Sequence, residues 1–144
     1  MKATRFLAAG LFVVGSVAYA ADAADPTVKA RQELMGVNIT NVKILGDMAG
    51  GKTAFDATAA ETAKAALVAA SAEIGAKFET PAEDPKSKAK PEIWTNWDDF
   101  VAKAGALNKA ATALDVTSAE TIGAGMSAIG GACQSCHKAY QIPG

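Results

Sequence analysis

The chain has 144 residues, enough for one compact domain behind an export signal. Its 14 basic and 15 acidic side chains leave a net charge of −1, and it has no basic cluster with interleaved aromatic residues. We therefore expect no nucleic-acid partner.

The N-terminal residues have the pattern of a cleaved signal peptide. Lys2 and Arg5 form a charged start, residues 6–18 are mostly apolar, and residues 18–20 read Ala-Tyr-Ala, an A-x-A cleavage site. The apolar stretch is shorter than the about 20 residues that cross a bilayer, which disfavours a membrane anchor. We predict that residues 1–20 are removed and that residues 21–144 form one periplasmic domain without membrane contact.

Two helices are predicted in the first half of this domain. Asp25 followed by Pro26 is a favourable helix start, and apolar positions continue to Met48, before Gly50-Gly51. Arg31 and Asn38 are polar residues within the apolar seam of this helix. Residues 58–61, Thr-Ala-Ala-Glu, predict a capping box for a second helix with a seam of small residues.

Two further helices are predicted after a polar, proline-containing loop at residues 79–90. The third begins at Pro91, and its seam runs from Ile93 to Leu114 with 4-3-4-3 spacing. Residues 117–120 cap a fourth helix, whose seam includes Cys133 and Cys136. Four helices, short connections and no alternating β pattern predict an all-α fold, an antiparallel up-down-up-down four-helix bundle.

The fourth helix contains both cysteines and the single histidine of the chain, as Cys133-Gln134-Ser135-Cys136-His137. C-x-x-C-H is the attachment signature of a c-type haem. Thiols three residues apart lie on one face of a helix, where they can form thioethers, and the imidazole can reach the iron. We therefore predict one covalently attached c-type haem, inserted into the bundle.

Other uses of these thiols are less favourable. A disulfide between residues three apart closes too short a loop to stabilise much. A thioredoxin-like pair requires a βαβ context, zinc requires a fourth ligand, and an iron–sulfur cluster requires four cysteines.

Met35 is the candidate for the distal side of the iron. The first and fourth helices of such a bundle are antiparallel, which places Met35 at nearly the height of His137. Met48 lies about 20 Å further along at about 1.5 Å per residue, and Met126 shares a helix with His137. Met35 is then either the sixth iron ligand or a thioether that only lines the pocket.

Arg31 and Gln32 lie one turn before Met35. A haem propionate would offer Arg31 a bidentate partner, and Gln32 could donate a further hydrogen bond to it. The alternative is that the Arg31 side chain points into solvent. Four glycines of the fourth helix, at positions 123, 125, 130 and 131, are expected either to make room for the porphyrin or merely to weaken the helix.

Three features together resemble the class II cytochromes c, which include cytochrome c' and its low-spin, methionine-ligated relatives. They are the C-terminal C-x-x-C-H, the Arg-Gln-x-x-Met run at residues 31–35 and the Pro-Glu-Ile-Trp start of the third helix. The resemblance implies haem thioethers at Cys133 and Cys136 and a proximal imidazole at His137. It also implies contacts of Arg31 and Gln32 with the haem periphery and a distal position at Met35. The family usually has a basic residue four positions after the histidine, where this chain has Gln141.

Two functions follow as hypotheses. The first is a periplasmic carrier of single electrons between redox partner proteins, with low-spin iron held by His137 and Met35. The second is a five-coordinate cytochrome c' that binds nitric oxide or carbon monoxide at an open distal face. An enzyme such as a peroxidase is disfavoured, because the single histidine is used proximally and leaves no distal imidazole. Both a monomer and a homodimer are compatible with the sequence.

Overall fold

A computed structural model describes residues 23–143; the predicted signal peptide at residues 1–20 lies outside the described residues. The described chain forms six helices, α1 Pro26–Ala49, α2 Ala57–Ala72, α3 Ile74–Phe78, α4 Glu92–Thr95, α5 Trp97–Ala113 and α6 Ala119–Tyr140. This part of the chain has no β-strand, but an isolated antiparallel bridge joins Ala89 to Gln141.

The four long helices form the predicted bundle. Helix α1 packs against α2 and α6, and α5 packs against the same two helices, so that neighbours in sequence are neighbours in space. The largest side chains with less than 2% exposure come from α1, α2 and α6 and from the short α4, at Leu45, Leu67, Ile93, Ile122 and Ile129. The predicted all-α, up-down-up-down fold is confirmed.

Capping side chains set where the long helices begin. The Asp25 carboxylate accepts hydrogen bonds from the amides of Thr27 and Val28, at 2.8 and 2.9 Å, as predicted for α1. Helix α6 begins at the predicted place, with a capping box formed by Ser118 and Thr121.

The predicted start of α2 is wrong. Asp56 is the N-cap, and its carboxylate accepts a hydrogen bond from the Ala59 amide at 2.8 Å. Residues 58–61 therefore lie inside the helix, because an aspartate two positions earlier already caps it.

The third predicted helix is interrupted. Asn96 leaves helical geometry (φ −125°, ψ 46°) and separates α4 from α5. On one side of the break, the Trp94 indole donates to the Phe78 carbonyl at 2.8 Å. On the other side, Trp97 stacks on Phe100 with ring centroids 5.5 Å apart. These aromatic contacts close one end of the bundle.

None of the helices within residues 23–143 combines the length and apolar character needed to cross a bilayer.

Candidate functional site

A cavity of about 530 Å³ lies between α1, α5 and α6, is closed by the short α3 and α4, and is bordered by residues 87–89. Its wall is mostly apolar, with side chains such as Val42, Ile93, Phe100 and Leu107. This volume is within the roughly 300–1,000 Å³ of pockets that hold small molecules and cofactors.

Helix α6 brings all three chemically reactive residues of the sequence motif to this cavity. Cys133, Cys136 and His137 line it, and both thiols are free and half-buried. Burial raises the pKa of each thiol; at Cys136 the Lys103 ammonium opposes that rise. Among residues 23–143, no three His, Cys, Asp or Glu side chains converge as a zinc site requires.

Helix α1 supplies the facing wall, including Met35. This half-buried side chain lines the same cavity as the motif on α6. Met48 is buried in the core, and Met126 packs against that core from α6; neither lines the cavity. The position of Met35 is compatible with the predicted distal role, and iron ligation by its sulfur stays a prediction.

Arg31 also lines the cavity and is only 3% exposed, so the alternative of an arginine turned to solvent is wrong. Its Nε donates to the Lys77 carbonyl at 2.9 Å, and its Nη2 donates to the Thr80 carbonyl. The guanidinium lies over the rings of Phe78 and Trp94, 4.9 and 5.4 Å from their centroids. Burial lowers the pKa of Arg31, against the opposing effect of Asp25.

One nitrogen of that guanidinium, Nη1, is buried without a hydrogen-bond partner among the described residues. Asn38 has the same property: it lines the cavity, donates from Nδ2 to the Leu34 carbonyl at 3.2 Å and keeps a buried Oδ1 unpaired. A buried polar atom without a partner is costly. Arg31 and Asn38, the two polar residues in the seam of α1, therefore each have a buried polar atom without a hydrogen-bond partner beside the cavity.

Gln32 is exposed at the cavity edge, where its Nε2 donates to the Lys86 carbonyl at 3.0 Å. The neighbouring Asp84 carboxylate accepts hydrogen bonds from the amides of Ala24, Asp25 and Lys86, at 2.7, 2.9 and 2.7 Å. These contacts join the start of α1 to the loop beside the cavity. A propionate contact by Arg31 or Gln32 stays a prediction.

The sequence profile of the family described as cytochrome c' matches residues 26–141. The chain belongs to the cytochrome c' family. The resemblance to class II cytochromes c is thereby confirmed.

Individual relatives agree with this assignment. A cytochrome c-556 of Agrobacterium tumefaciens (strain apple 185) is 38% identical over 103 residues, covering 68% of this chain and 80% of the relative. The solved cytochrome c' of Rhodobacter sphaeroides is 26% identical, with a TM-score of 0.75 over 82% of this chain and 96% of that one. The solved nitric oxide complex of a cytochrome c prime mutant from Alcaligenes xylosoxidans is 25% identical, with a TM-score of 0.73 over 81% and 94%.

Members of the cytochrome c' family carry a single covalently attached c-type haem with iron, and this confirms the predicted cofactor. The cavity fits such a group. Two free thiols face an apolar space, and the charged residues that line it are Arg31, Lys88 and Lys103, with no carboxylate among the described lining residues. A flat apolar ring with acidic substituents complements such a wall.

The sequence did not single out Lys103 or Tyr140 as parts of one polar group beside the haem motif. The Tyr140 hydroxyl donates to Asp99 Oδ2 at 2.5 Å, and Lys103 lies 3.6 Å from Asp99 Oδ1. Lys103 also lies 3.4 Å from the Ser135 hydroxyl, inside the C-x-x-C-H run. The bond to Asp99 raises the pKa of Tyr140 to about 12. An aspartate four positions before a lysine on α5 was the available signal.

None of the four glycines of α6 lines the cavity, which favours the second of the two alternatives given for them, a weakened helix, over room for the porphyrin. Gly130 and Gly131 are exposed and face open space. Gly125 instead permits close packing of Leu114, because a Cβ at position 125 would lie 2.3 Å from Leu114 Cδ1.

Proposed function

We propose that this member of the cytochrome c' family is a periplasmic mono-haem electron carrier, with His137 and Met35 as the axial ligands of low-spin iron. The supporting observation is that Met35 on α1 lines the same apolar cavity as the haem motif on α6. Among the described residues that α1 contributes to this cavity, Met35 alone has a sulfur atom, and a thioether opposite histidine is the ligand pair of electron-carrying cytochromes.

Each part of the cavity has a separate role in this proposal. When bound, a c-type haem supplies an iron ion that alternates between the ferrous and ferric states. Cys133 and Cys136 hold the group on α6 as thioethers, and His137 supplies the proximal nitrogen. Arg31 and Gln32 contact its periphery. The apolar wall limits the access of water and lowers the local dielectric, which tunes the potential of the bound group.

The decisive experiment compares the absorption spectra of oxidised holo-protein for wild type, Met35→Ala and Met126→Ala. Met126 is also half-buried but does not line the cavity, which makes it a matched control. We expect low-spin bands and a methionine-to-iron charge-transfer band in wild type and Met126→Ala. Met35→Ala should lose that band and become high-spin. An unchanged spin state in Met35→Ala would contradict ligation by this residue.

A second candidate is a five-coordinate cytochrome c' that binds nitric oxide or carbon monoxide, with Met35 only lining the distal pocket. It is favoured by the nitric oxide complex of the Alcaligenes xylosoxidans relative. Gly36 beside Met35 also faces open space on the cavity wall. Carbon monoxide added to the reduced wild-type protein separates the two: an immediate spectral change supports gas binding, and a slow or absent change supports the carrier.

We also propose that residues 1–20 direct export and are removed, leaving residues 21–144 as the mature domain. Mass spectrometry of the protein from a periplasmic fraction tests this. The expected species begins at Ala21 and carries the additional mass of one haem; a cytoplasmic protein that retains Met1 would refute export.

A further inference from the structure

Four lysines lie together at the edge of the cavity, and we name them the basic strip: Lys86, Lys88, Lys90 and Lys138. The first three occupy alternating positions of a non-helical segment, and the fourth lies in the last turn of α6. Lys86, Lys88 and Lys138 are exposed, and Lys90 is half-buried.

Backbone contacts hold this segment against the end of α6. The Lys90 amide donates to the Tyr140 carbonyl at 2.9 Å, and the Ile142 amide donates to the Lys88 carbonyl at 2.8 Å. The Lys90 ammonium itself donates to the Ala139 carbonyl at 3.3 Å. The relative positions of the lysines are therefore set by the fold.

None of the four is in an ion pair with a described residue, whereas Lys43, Lys52 and Lys103 each have a carboxylate partner within 4 Å. Asp84, the acidic residue nearest in sequence to Lys86, directs its oxygens to backbone amides and also attracts the Lys86 ammonium electrostatically. The positive charge of Lys88, Lys90 and Lys138 is therefore the part of the basic strip that is available to a partner.

The strip borders the cavity opening. Lys88 lines the cavity together with Ser87 and Ala89. Two large apolar side chains are exposed next to these groups. Ile39 lines the same cavity as Lys88 and is 64% exposed, and Ile142, whose amide donates to the Lys88 carbonyl, is 43% exposed. Without Lys2 and Arg5 of the proposed signal peptide, 12 basic and 15 acidic side chains give the mature domain a net charge of −3, so attraction to an acidic partner must be local.

We propose that the basic strip docks an acidic surface of a redox partner protein, with Ile39 and Ile142 as the apolar centre of the contact. This inference rests on the proposed electron-carrier function. Complementary charge at the rim accelerates encounter and orients two proteins, while exposed apolar side chains supply the contact itself. This orientation brings the partner to the opening of the cavity that Cys133, Cys136 and His137 line.

The test uses reduced holo-protein and two inorganic oxidants of opposite charge, ferricyanide and tris(phenanthroline)cobalt(III), in stopped-flow measurements at low ionic strength. The double variant Lys88→Glu/Lys138→Glu reverses charge in the strip. Lys64→Glu/Lys109→Glu changes the net charge equally at lysines that do not line the cavity and have no ion pair with a described residue. We expect the strip variant to slow oxidation by ferricyanide about ten-fold and to accelerate oxidation by the cobalt complex. High salt should abolish both effects.

Inhibition by a macromolecular anion identifies the class of partner. Poly-L-glutamate should slow oxidation of wild type and of the Lys64/Lys109 variant by ferricyanide, an anion that the polymer does not bind, but not of the strip variant. Equal rate changes in the two variants would overturn the proposal, and so would binding to phosphatidylglycerol vesicles without any effect of poly-L-glutamate. Spectra of the same samples report the spin state, so a failure of the proposed function is seen separately from a failure of the docking surface.

Discussion

Two glycines in α6 give a direct test of how closely this helix packs on the end of α5. Gly125 and Gly130 are both interior positions of α6, and alanine at either should gain about 0.5–1 kcal/mol from reduced freedom of the unfolded chain. At position 130 a Cβ meets nothing within 4 Å, so the gain should appear in full. At position 125 it would lie 2.3 Å from Leu114 Cδ1, well inside the about 3.5–4.0 Å of a normal carbon contact.

Leu114 is only 2% exposed, and its side chain cannot move aside into solvent. Overpacking of this kind costs about 1–3 kcal/mol. We therefore expect Gly125→Ala to be about 1–3 kcal/mol less stable than Gly130→Ala. The gain in helix propensity is the same for both variants, so it cancels in this comparison. The free energy of unfolding of both holo-proteins, from urea titrations with equal m-values, measures it. Equal stability of the two variants would refute close packing at Gly125.

Two further substitutions test polar contacts around the cavity. Tyr140→Phe removes the bond to Asp99. Because the pKa of Tyr140 is raised to about 12, the contribution of this hydrogen bond to folded-state stability is fully present below pH 10 and is lost as the pH rises through 12. The Tm of the variant should therefore lie below that of wild type at neutral pH and approach it between pH 10 and 12. A difference in Tm that stays constant with pH would contradict this reasoning. Arg31→Lys keeps the charge but cannot reach the Lys77 and Thr80 carbonyls together, so we expect a loss of about 1–3 kcal/mol. Hydrogen exchange should also accelerate at residues 79–84, and unchanged exchange would show that Arg31 does not hold this loop.

The bundle could be predicted from the sequence because its long helices are specified by local patterns. The Asp25 and Ser118 side chains accept hydrogen bonds from amides two or three residues later, and the spacing of apolar residues gives the buried face of each helix. The break at Asn96 had no local signal, since the 4-3-4-3 seam runs through it. It accompanies the contact of Trp94 with Phe78, which is distant in sequence.

The same distinction applies to the site. Cys133, Cys136 and His137 form one contiguous motif, so the sequence alone identifies them. Arg31 is recognisable as a polar residue in an apolar seam, but its carbonyl partners lie 46 and 49 residues away, and no local pattern predicts them. Lys103 reaches the motif from another helix, and only packing reveals that proximity.

The Asp84 carboxylate accepts hydrogen bonds from the amides of Ala24, Asp25 and Lys86, and this makes the edge of the cavity sensitive to acid. Those hydrogen bonds, of which the one from the Asp25 amide has the largest effect, hold the pKa of Asp84 below its usual value. Their contribution to the stability of the folded protein is therefore complete above about pH 4 and is lost as the pH falls through the lower pKa of the folded state. Protonation of this one carboxyl would loosen the link between residues 24–25, which precede α1, and the lysine-bearing loop at residue 86, while the Asp25 carboxylate continues to cap α1.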